Sequence, residues 1–580
     1  MPNEFRVSVG RGARGRHTVS VANGTTQYVD EVNLRSAEDR DAWVTRLHTR
    51  RPEVDADTLR AIGEELLAHA ARHATADAEN GAEAVSLPIR AAELVPDAAL
   101  FTDENHDTYC SVTATGPAGQ HQENWPLRSG GFKRWMTQEF LLTHGGALTR
   151  DVMEQVLTLL DAKANAAGTV YPVAIRCAAH DGRLFIDMAD AAWRHIEITP
   201  TGWRIINSSD CPVRFIRPPG MLPLPAPTPG GSMDALRALI NLPDDDAWAL
   251  AQAWLLAVIN PNIVAPILVV NGEQGSAKST LCRLLRHTID PNKCSLRSMP
   301  HDEVDLIVAA QGSRILCYDN MSYVRPQMSD AICRIITGGG LAKRKLYTDG
   351  DEIIINARRP VMINGITDLA TRADLLGRSI VLTLPPVPDE RRRTEEEIYA
   401  SFNNQHAAIL GALCDTAVFA LAAWPTMRLS TMPRMADFAR WGAAGAIVGA
   451  GEFLRIYGAN RSAGAAAALD ACAVAGAVVR YVGELSVLEG TAAEIKENLQ
   501  TYAYPGIHPP ADWPKTARGI ADAIQRAAPG LRAAGITATL APRRGHGNRR
   551  EWRIAASAPT PAPEPTPTPA PEAPDEMGAI

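Results

Sequence analysis

Residues 266–289 read "PILVVNGEQGSAKSTLCRLLRHTI". An apolar run, a glycine-bearing loop and a helical pattern follow one another without a break. Few folds allow this, because a buried strand must turn tightly and pass straight into a helix. Gly272 and Gly275 let the loop backbone turn with its N–H groups inward. Lys278 adds a cation at the helix start, where the partial positive charge of the N-terminus already favours anions. A loop of this kind cradles phosphate, and the hydroxyl of Ser279 is suited to Mg²⁺. The expected ligand is ATP with Mg²⁺, held by Gly272, Glu273, Gln274, Gly275, Ser276, Ala277, Lys278, Ser279 and Thr280. The loop departs from the usual G-x-x-x-x-G-K-[ST] pattern at Ala277, which replaces the glycine before the lysine.

A phosphate-bound metal needs an acid. "SRILCYDNMS" supplies Asp319 at the end of an apolar strand, so Ser279 and Asp319 form the expected metal pair. The next residue, Asn320, can position a water but cannot take its proton. Asp302 and Glu303 in "PHDEVDL" are the nearest alternative bases. A third apolar run, "RRPVMINGI", ends in Asn364, a polar tip suited to a γ-phosphate. "DLATRADLLGRSIVLTL" places Arg378 just before a last strand. Arg378 is the expected arginine finger, acting across a subunit boundary; Arg372, on the same helical stretch, faces another way.

With "NGEQGSAKST", "ILCYDN", "TGGGLAKRKLYTDGDE", "RPVMINGI" and "LLGRSIVLTL" in this order, residues 235–390 resemble the superfamily 3-like, D5-type AAA+ ATPases of phage and genomic-island primase–helicases. Residues 391–555 resemble them more loosely. The resemblance implies a ring-forming DNA helicase or translocase of mobile-element replication, with Lys278, Asp319, Asn320, Asn364 and Arg378 as catalytic residues. The alternative is an initiator, loader or switch that binds ATP and DNA with little hydrolysis, as Asn320 suggests. Lys343, Arg344 and Lys345 follow three glycines and precede a "TDGD" turn. They are expected to lie on a mobile hairpin gripping DNA phosphates without reading sequence, as the corresponding loop does in the resembling helicases.

The rest of the 580 residues divides by texture. The fold class expected is multidomain α/β: a P-loop NTPase (AAA+-like) core, an N-terminal α+β region and a C-terminal winged-helix-like unit. Segments 1–85 (small α+β), 86–217 (β-rich), 218–232 (Pro/Gly linker), 233–390 (ATPase), 391–485 (helical), 486–555 (winged-helix-like) and 556–580 (Pro-rich tail) follow in order. In 486–555 two helical patterns precede "GITATLA", a basic loop and "REWRI", which would put Arg543, Arg544, Arg549 and Arg550 in a DNA-binding wing.

Hydrophobic and charged fractions of 46 % and 21 % suit a globular chain. The net charge of −7 restricts DNA contacts, expected with single strands, to local basic patches. Nine cysteines without a C-x-x-C pair predict reduced, buried thiols in a cytoplasmic protein. No secretory signal is visible, and the long apolar stretch at 463–482 is broken by Asp470 and Arg480, so no membrane partner is expected.

In the N-terminal part, Asp103, Glu104, His106 and Asp107 crowd a polar stretch that reads as surface. Trp125, Phe132 and Trp135 alternate with Arg128, Lys133 and Arg134, which fits either base stacking or a helix with a buried aromatic face.

Overall fold

The run "ILVVNG" forms the strand Ile267–Gly272, buried along its whole length. Alternate side chains point to opposite faces. Leu268 and Val270 enter one hydrophobic core, while Ile267 and Val269 enter a second. The strand is therefore covered on both sides, as its unbroken apolarity requires. Three parallel neighbours complete the sheet, in the order Leu316–Met321, Val361–Gly365, Ile267–Gly272, Ser379–Leu384. The Asn364 strand thus lies between the strand leading to the glycine loop and the strand carrying Asp319.

The computed structural model describes residues 6–11, 17–23, 26–33, 36–52, 54–81, 86–116, 119–339, 341–344, 352–355, 358–366, 372–510, 513–541 and 550–557. The chain divides into two compact units. One is Met1–Leu94 with Met136–Leu159, and the other is Val95–Trp135 with Leu160–Ile580. In the first, an antiparallel three-stranded sheet (Arg6–Arg11, His17–Asn23, Thr26–Val32) precedes the helices Ala37–Arg50 and Ala56–Gly81. Val19, Val21, Trp43, Leu47 and Leu66 form its core.

In the second unit, the antiparallel sheet running from Cys177–His180 to Gly202–Ile206 shares a core with the parallel sheet. That core joins Leu184, Ile186, Ile196 and Ile198 to Trp254, Leu268 and Leu410. The Pro/Gly-rich segment 218–232, expected to be a linker, is strapped into this body. Leu222 and Thr228 donate N–H bonds to the carbonyls of Pro291 and Ala407, and Leu224 is buried. A Cβ on Gly411 would lie 1.9 Å from the Thr228 carbonyl, so glycine admits the strap against its helix. Composition measures chain stiffness; it does not report whether a Pro-rich strand finds a groove.

The helix against that strap, Glu395–Ala423, is long and apolar enough to cross a membrane, but its Phe402, Ile409, Leu410, Leu413 and Ala417 lie in the shared core. The apolar stretch at 463–482 is divided between Ala450–Ala471 and Ala473–Leu485, which meet at 99°.

The C-terminal part runs helix Ala473–Leu485, strand Val487–Thr491, helices Ala492–Ala503 and Ala517–Ala533, and strands Ile536–Leu540 and Glu551–Ala556. The first strand pairs with the last, which sits in the middle of the sheet. Two of these helices and the last two strands fall where two helical patterns, "GITATLA" and "REWRI" were expected, while the helix Ala473–Leu485 and the strand Val487–Thr491 add to that layout. Its core contains Val478, Ile495, Leu499, Ile520, Ile524 and Trp552.

Candidate nucleotide-binding site

The parallel sheet brings three of the expected groups to the C-terminal ends of adjacent strands. Gly272 ends the first, and the loop enters the helix Lys278–Ile289. Inside the loop, the Ser276 hydroxyl donates to the Glu273 carbonyl at 2.8 Å. The Lys278 ammonium donates to the carbonyls of Gly272 (2.9 Å) and Glu273 (2.7 Å), which holds it over the loop. Ala277 adopts φ 63° and ψ 30°, the left-handed region usually left to glycine. Alanine occupies this conformation at a cost of ~1–2 kcal/mol.

Ser279 and Asp319 meet directly: the hydroxyl donates to Asp319 Oδ1 at 2.8 Å. Two oxygens bound to one Mg²⁺ at ~2.0–2.1 Å in an octahedron lie about 2.9 Å apart along an edge. The pair therefore fits as two hard-oxygen ligands of one Mg²⁺, with the remaining positions left to phosphate and water. Among the described residues no cluster of three or more His, Cys, Asp or Glu side chains could hold a metal by itself.

The end of the Asp319 strand is irregular. Tyr318 pairs with Ile363 and Met321 with Gly365, so one strand carries an extra residue. At this bulge Asn320 takes φ 53°, which asparagine tolerates better than most residues. Its N–H donates to Asn364 Oδ1 at 3.0 Å, replacing the interrupted ladder bond. The Asn364 amide also donates to Cys282 Sγ at 3.5 Å. Asn364 is buried, whereas Asn320 is exposed. Beneath them the Cys317 thiol, hydrogen-bonded to Cys282 and fully buried, has its pKa pushed well up and stays neutral.

Other expected residues have different surroundings. Asp302 caps the helix Glu303–Gln311 through the N–H groups of Val304 and Asp305, and Glu303 pairs with Arg334. The structure therefore gives both candidate bases other work. Arg378 is not brought to the glycine loop of its own chain: its carbonyl accepts from Ile267 N–H, at the far end of the strand. Roughly 16 Å of strand, at ~3.3 Å per residue, separates that point from Gly272. Its guanidinium pairs with Asp374, which Arg434 also contacts at 2.5 Å. Arg372 bonds to Asp330 at 2.9 Å.

Lys343 and Arg344 lie on a strand, Leu341–Arg344, paired antiparallel with Glu352–Ile355. Their side chains, together with Lys345, Arg543, Arg544 and Arg549, fall outside the described residues; Arg550 is exposed beside the last strand. In the N-terminal part, Asp103 accepts N–H bonds from Asn105 and Asp107 and folds a surface turn. Phe132 is buried and pairs with Trp135 at 5.6 Å, while Trp125 pairs with Trp193 at 6.0 Å.

Sequence reasoning missed several residues around the loop. Asn241 donates to the carbonyls of Ser276 and Pro385, tying the loop to the end of the edge strand. Arg392 Nη2 lies 3.6 Å from where a Cβ on Gly275 would sit. Arg283 pairs with Glu395 at 3.2 Å; burial works against its charge, but Tyr399, Glu395 and Asp319 outweigh it and raise its pKa. Nothing local in "DERRRTEEE" marks Arg392 or Glu395 as neighbours of the loop or its helix, because only the fold brings that distant segment there. A readable signal did exist at the C-terminus. Arg518, Asp522, Gln525 and Arg526 share the exposed face of the helix Ala517–Ala533, at helical spacing.

The molecule so defined is a mixed α/β protein of several sheets, with an oxygen-rich loop-and-strand-end site. Residues 233–463 match the family described as actinomycete integrative conjugative element (AICE) replication protein, and residues 474–569 match the AICE RepA C-terminal domain. Over these spans the chain is similar to a mobile-element replication protein. No curated protein matches it. Among solved structures, an A-form apo NrS-1 C-terminal region is similar over 79 % of this chain and 96 % of its own, at 13 % identity and a TM-score of 0.34. A second structure of that region covers 63 % and 95 %, at 13 % identity and 0.30. A JCV helicase with a bound thiazolopyridine compound covers 38 % and 66 %, at 11 % identity and 0.18.

Proposed function

We propose that this chain is an ATP-dependent DNA helicase or translocase of mobile-element replication, with a superfamily 3-like P-loop ATPase core. The observation that carries this reading is the 2.8 Å bond between Ser279 and Asp319. It joins the first turn of the loop helix to a neighbouring strand end, with Lys278 beside it and Asn364 on the strand between. In this reading the loop from Gly272 to Thr280 binds the triphosphate, Ser279 and Asp319 hold Mg²⁺, and Asn364 and Asn320 order the edge facing the γ-phosphate. Arg378, at the other end of the strands from the loop, would serve only a neighbouring subunit of a ring, after exchanging Asp374 for that subunit's nucleotide.

The same reading assigns single-stranded DNA to the hairpin of Lys343, Arg344 and Lys345. Duplex phosphates go to the C-terminal wing of Arg543, Arg544, Arg549 and Arg550. The outward face of the helix Ala517–Ala533, with Arg518 and Arg526, supports it, since a helix in this position of a winged fold meets a DNA groove.

A second reading, an initiator, loader or switch with little turnover, is favoured by Asn320. That amide, set in a bulge beside Asp319, cannot accept a proton from water. ATP hydrolysis measured with and without single-stranded DNA, in wild type and Lys278→Ala, separates the two. Turnover that rises with DNA and disappears in the variant supports the helicase. Nucleotide binding without turnover favours the switch, and failure to bind nucleotide overturns both.

A further inference from the structure

We propose that a second cleft, built from elements other than the glycine loop, binds a nucleotide through its phosphate, with Arg214 as the principal contact. The cleft has a volume of about 530 Å³ and is bordered by Tyr171, His180, Arg183, Ser209, Asp210 and Arg214. That volume falls in the ~300–1,000 Å³ range of ligand sites.

Its floor is rigid. The Tyr171 N–H donates to the Thr102 carbonyl at 3.0 Å, and its ring meets Phe101 edge-on at 5.5 Å. The Arg214 N–H donates to the Pro172 carbonyl at 3.1 Å, and Arg214 pairs with Val173 in a short parallel ladder. This holds the Arg214 guanidinium 4.6 Å above the Tyr171 ring. Stacking occupies one flat face of the guanidinium and leaves its N–H edge available.

Arg214 is half-buried and differs from half-buried Arg217, near it in the chain, and from three buried arginines of the same unit. Arg176, Arg217, Arg286 and Arg314 each donate to named carbonyls or carboxylates. The Arg214 Nε is buried without a hydrogen-bond partner, and no carboxylate pairs with it among the described residues. A buried, unpaired donor is costly, and a phosphate bonded by Nε and a terminal N–H together would satisfy it.

The remaining lining fits the rest of a nucleotide. Arg183, from the neighbouring hairpin, shares Glu197 with Arg204, so two cations answer to that one carboxylate. Ser209 offers a hydroxyl. Asp210, bonded to Ser209 at 3.4 Å, is unsuited to phosphate but suits a base amino group. Two arginines, a hydroxyl and a single acid among the lining residues match a nucleotide better than a bare anion.

The nucleotide could belong to a DNA strand or be free, and two titrations distinguish these sources. Both use the full chain carrying Lys278→Ala, without ATP, so that they do not depend on the glycine loop. Anisotropy follows labelled dT20, and calorimetry follows thymidine monophosphate. If the cleft holds a strand, Arg214→Gln weakens dT20 binding about tenfold and flattens its log–log salt slope by about 0.7. Arg214→Lys, which keeps the charge but not the fork, loses less. Loss of the monophosphate alone assigns the cleft to free nucleotide. Ser209→Glu leaves the stack in place and sets a negative charge in the cleft, so it weakens the same ligand and covers the case of an Arg214→Gln chain that misfolds. Unchanged binding of both ligands in folded Arg214→Gln, or in Ser209→Glu, overturns the proposal.

Discussion

Asn364 Oδ1 accepts the backbone N–H of Asn320 at 3.0 Å, across the bulge that separates Tyr318 from Met321. A side chain on one strand therefore makes the bond that the neighbouring backbone cannot, and it fixes where Asp319 sits beside Ser279. The two asparagines read in the sequence as separate catalytic candidates form one structural unit.

Removing the acceptor should undo this. Asn364→Ala leaves the Asn320 N–H without its partner and opens a small buried gap, at a cost of about 1–3 kcal/mol. Urea unfolding measures that loss, and Mg²⁺-dependent nucleotide affinity should fall with it. At Asn320 the backbone angle is the constraint: Asn320→Gly should be nearly neutral, while Asn320→Val should cost ~1–2 kcal/mol. Equal stability of the two variants would sink this account of the bulge.

The loop holds a similar contrast. Ala277→Gly removes a left-handed strain of ~1–2 kcal/mol and incurs ~0.5–1 kcal/mol of chain entropy, so its thermal midpoint should rise slightly or stay level. Gly272→Ala should do the opposite, since its Cβ would lie 2.8 Å from the Leu384 carbonyl and 2.6 Å from the Ser276 hydroxyl. A loss of about 1–3 kcal/mol is expected, together with weaker binding of a fluorescent ATP analogue.

Asp290 ties the antiparallel sheet to the parallel one. It is fully buried, accepts the N–H groups of Arg314 and Ile315, and faces Arg176 at 3.4 Å and Arg286 at 3.7 Å. Asp290→Ala strands two buried guanidinium groups and should cost about 3–5 kcal/mol. If urea unfolding shows less than 1 kcal/mol, on the order of a surface pair, the network is not structural.

His406 should make the fold acid-sensitive. Burial pushes its pKa down from the usual 6.5 to about 4; its bond to the Thr288 carbonyl opposes the shift, while His287 and Arg176 add to it. The unfolded chain therefore takes up a proton that the folded one refuses. This contribution is complete above about pH 6.5 and is lost progressively as pH falls to about 4. Between pH 7.5 and 5 the loss is about 2 kcal/mol. In His406→Gln, the difference in unfolding free energy between those two pH values should shrink by that amount.

The alternation of apolar strands with helical segments, and the glycines before "KST", made the parallel sheet and its loop legible without coordinates. Strand, turn and helix start are written within a few residues of each other, where local backbone preference and burial agree. The last two helices and two strands of the C-terminal part were legible for the same reason, whereas the strand Val487–Thr491 that completes their sheet was not. What the sequence could not reveal depended on contacts between distant segments. The order of strands placed Asn364 between the other two strand ends, and the bulge tied the Asn320 backbone N–H to Asn364 while leaving residue 320 exposed. The strap at 218–232 looked like a linker because proline content records stiffness and says nothing of the groove that Gly411 opens. Arg378, expected to act across a subunit boundary, lies at the far end of the strand from the loop of its own chain, a placement that only its pairing with Ile267 reveals. Arg392, distant in the chain, comes beside Gly275 only when the fold closes, and Arg283, on the loop's own helix, finds Glu395 in the same way. Local sequence determined which segments form and what chemistry they carry; packing decided which side chains meet, because burial and hydrogen-bond satisfaction are settled only when the whole core closes.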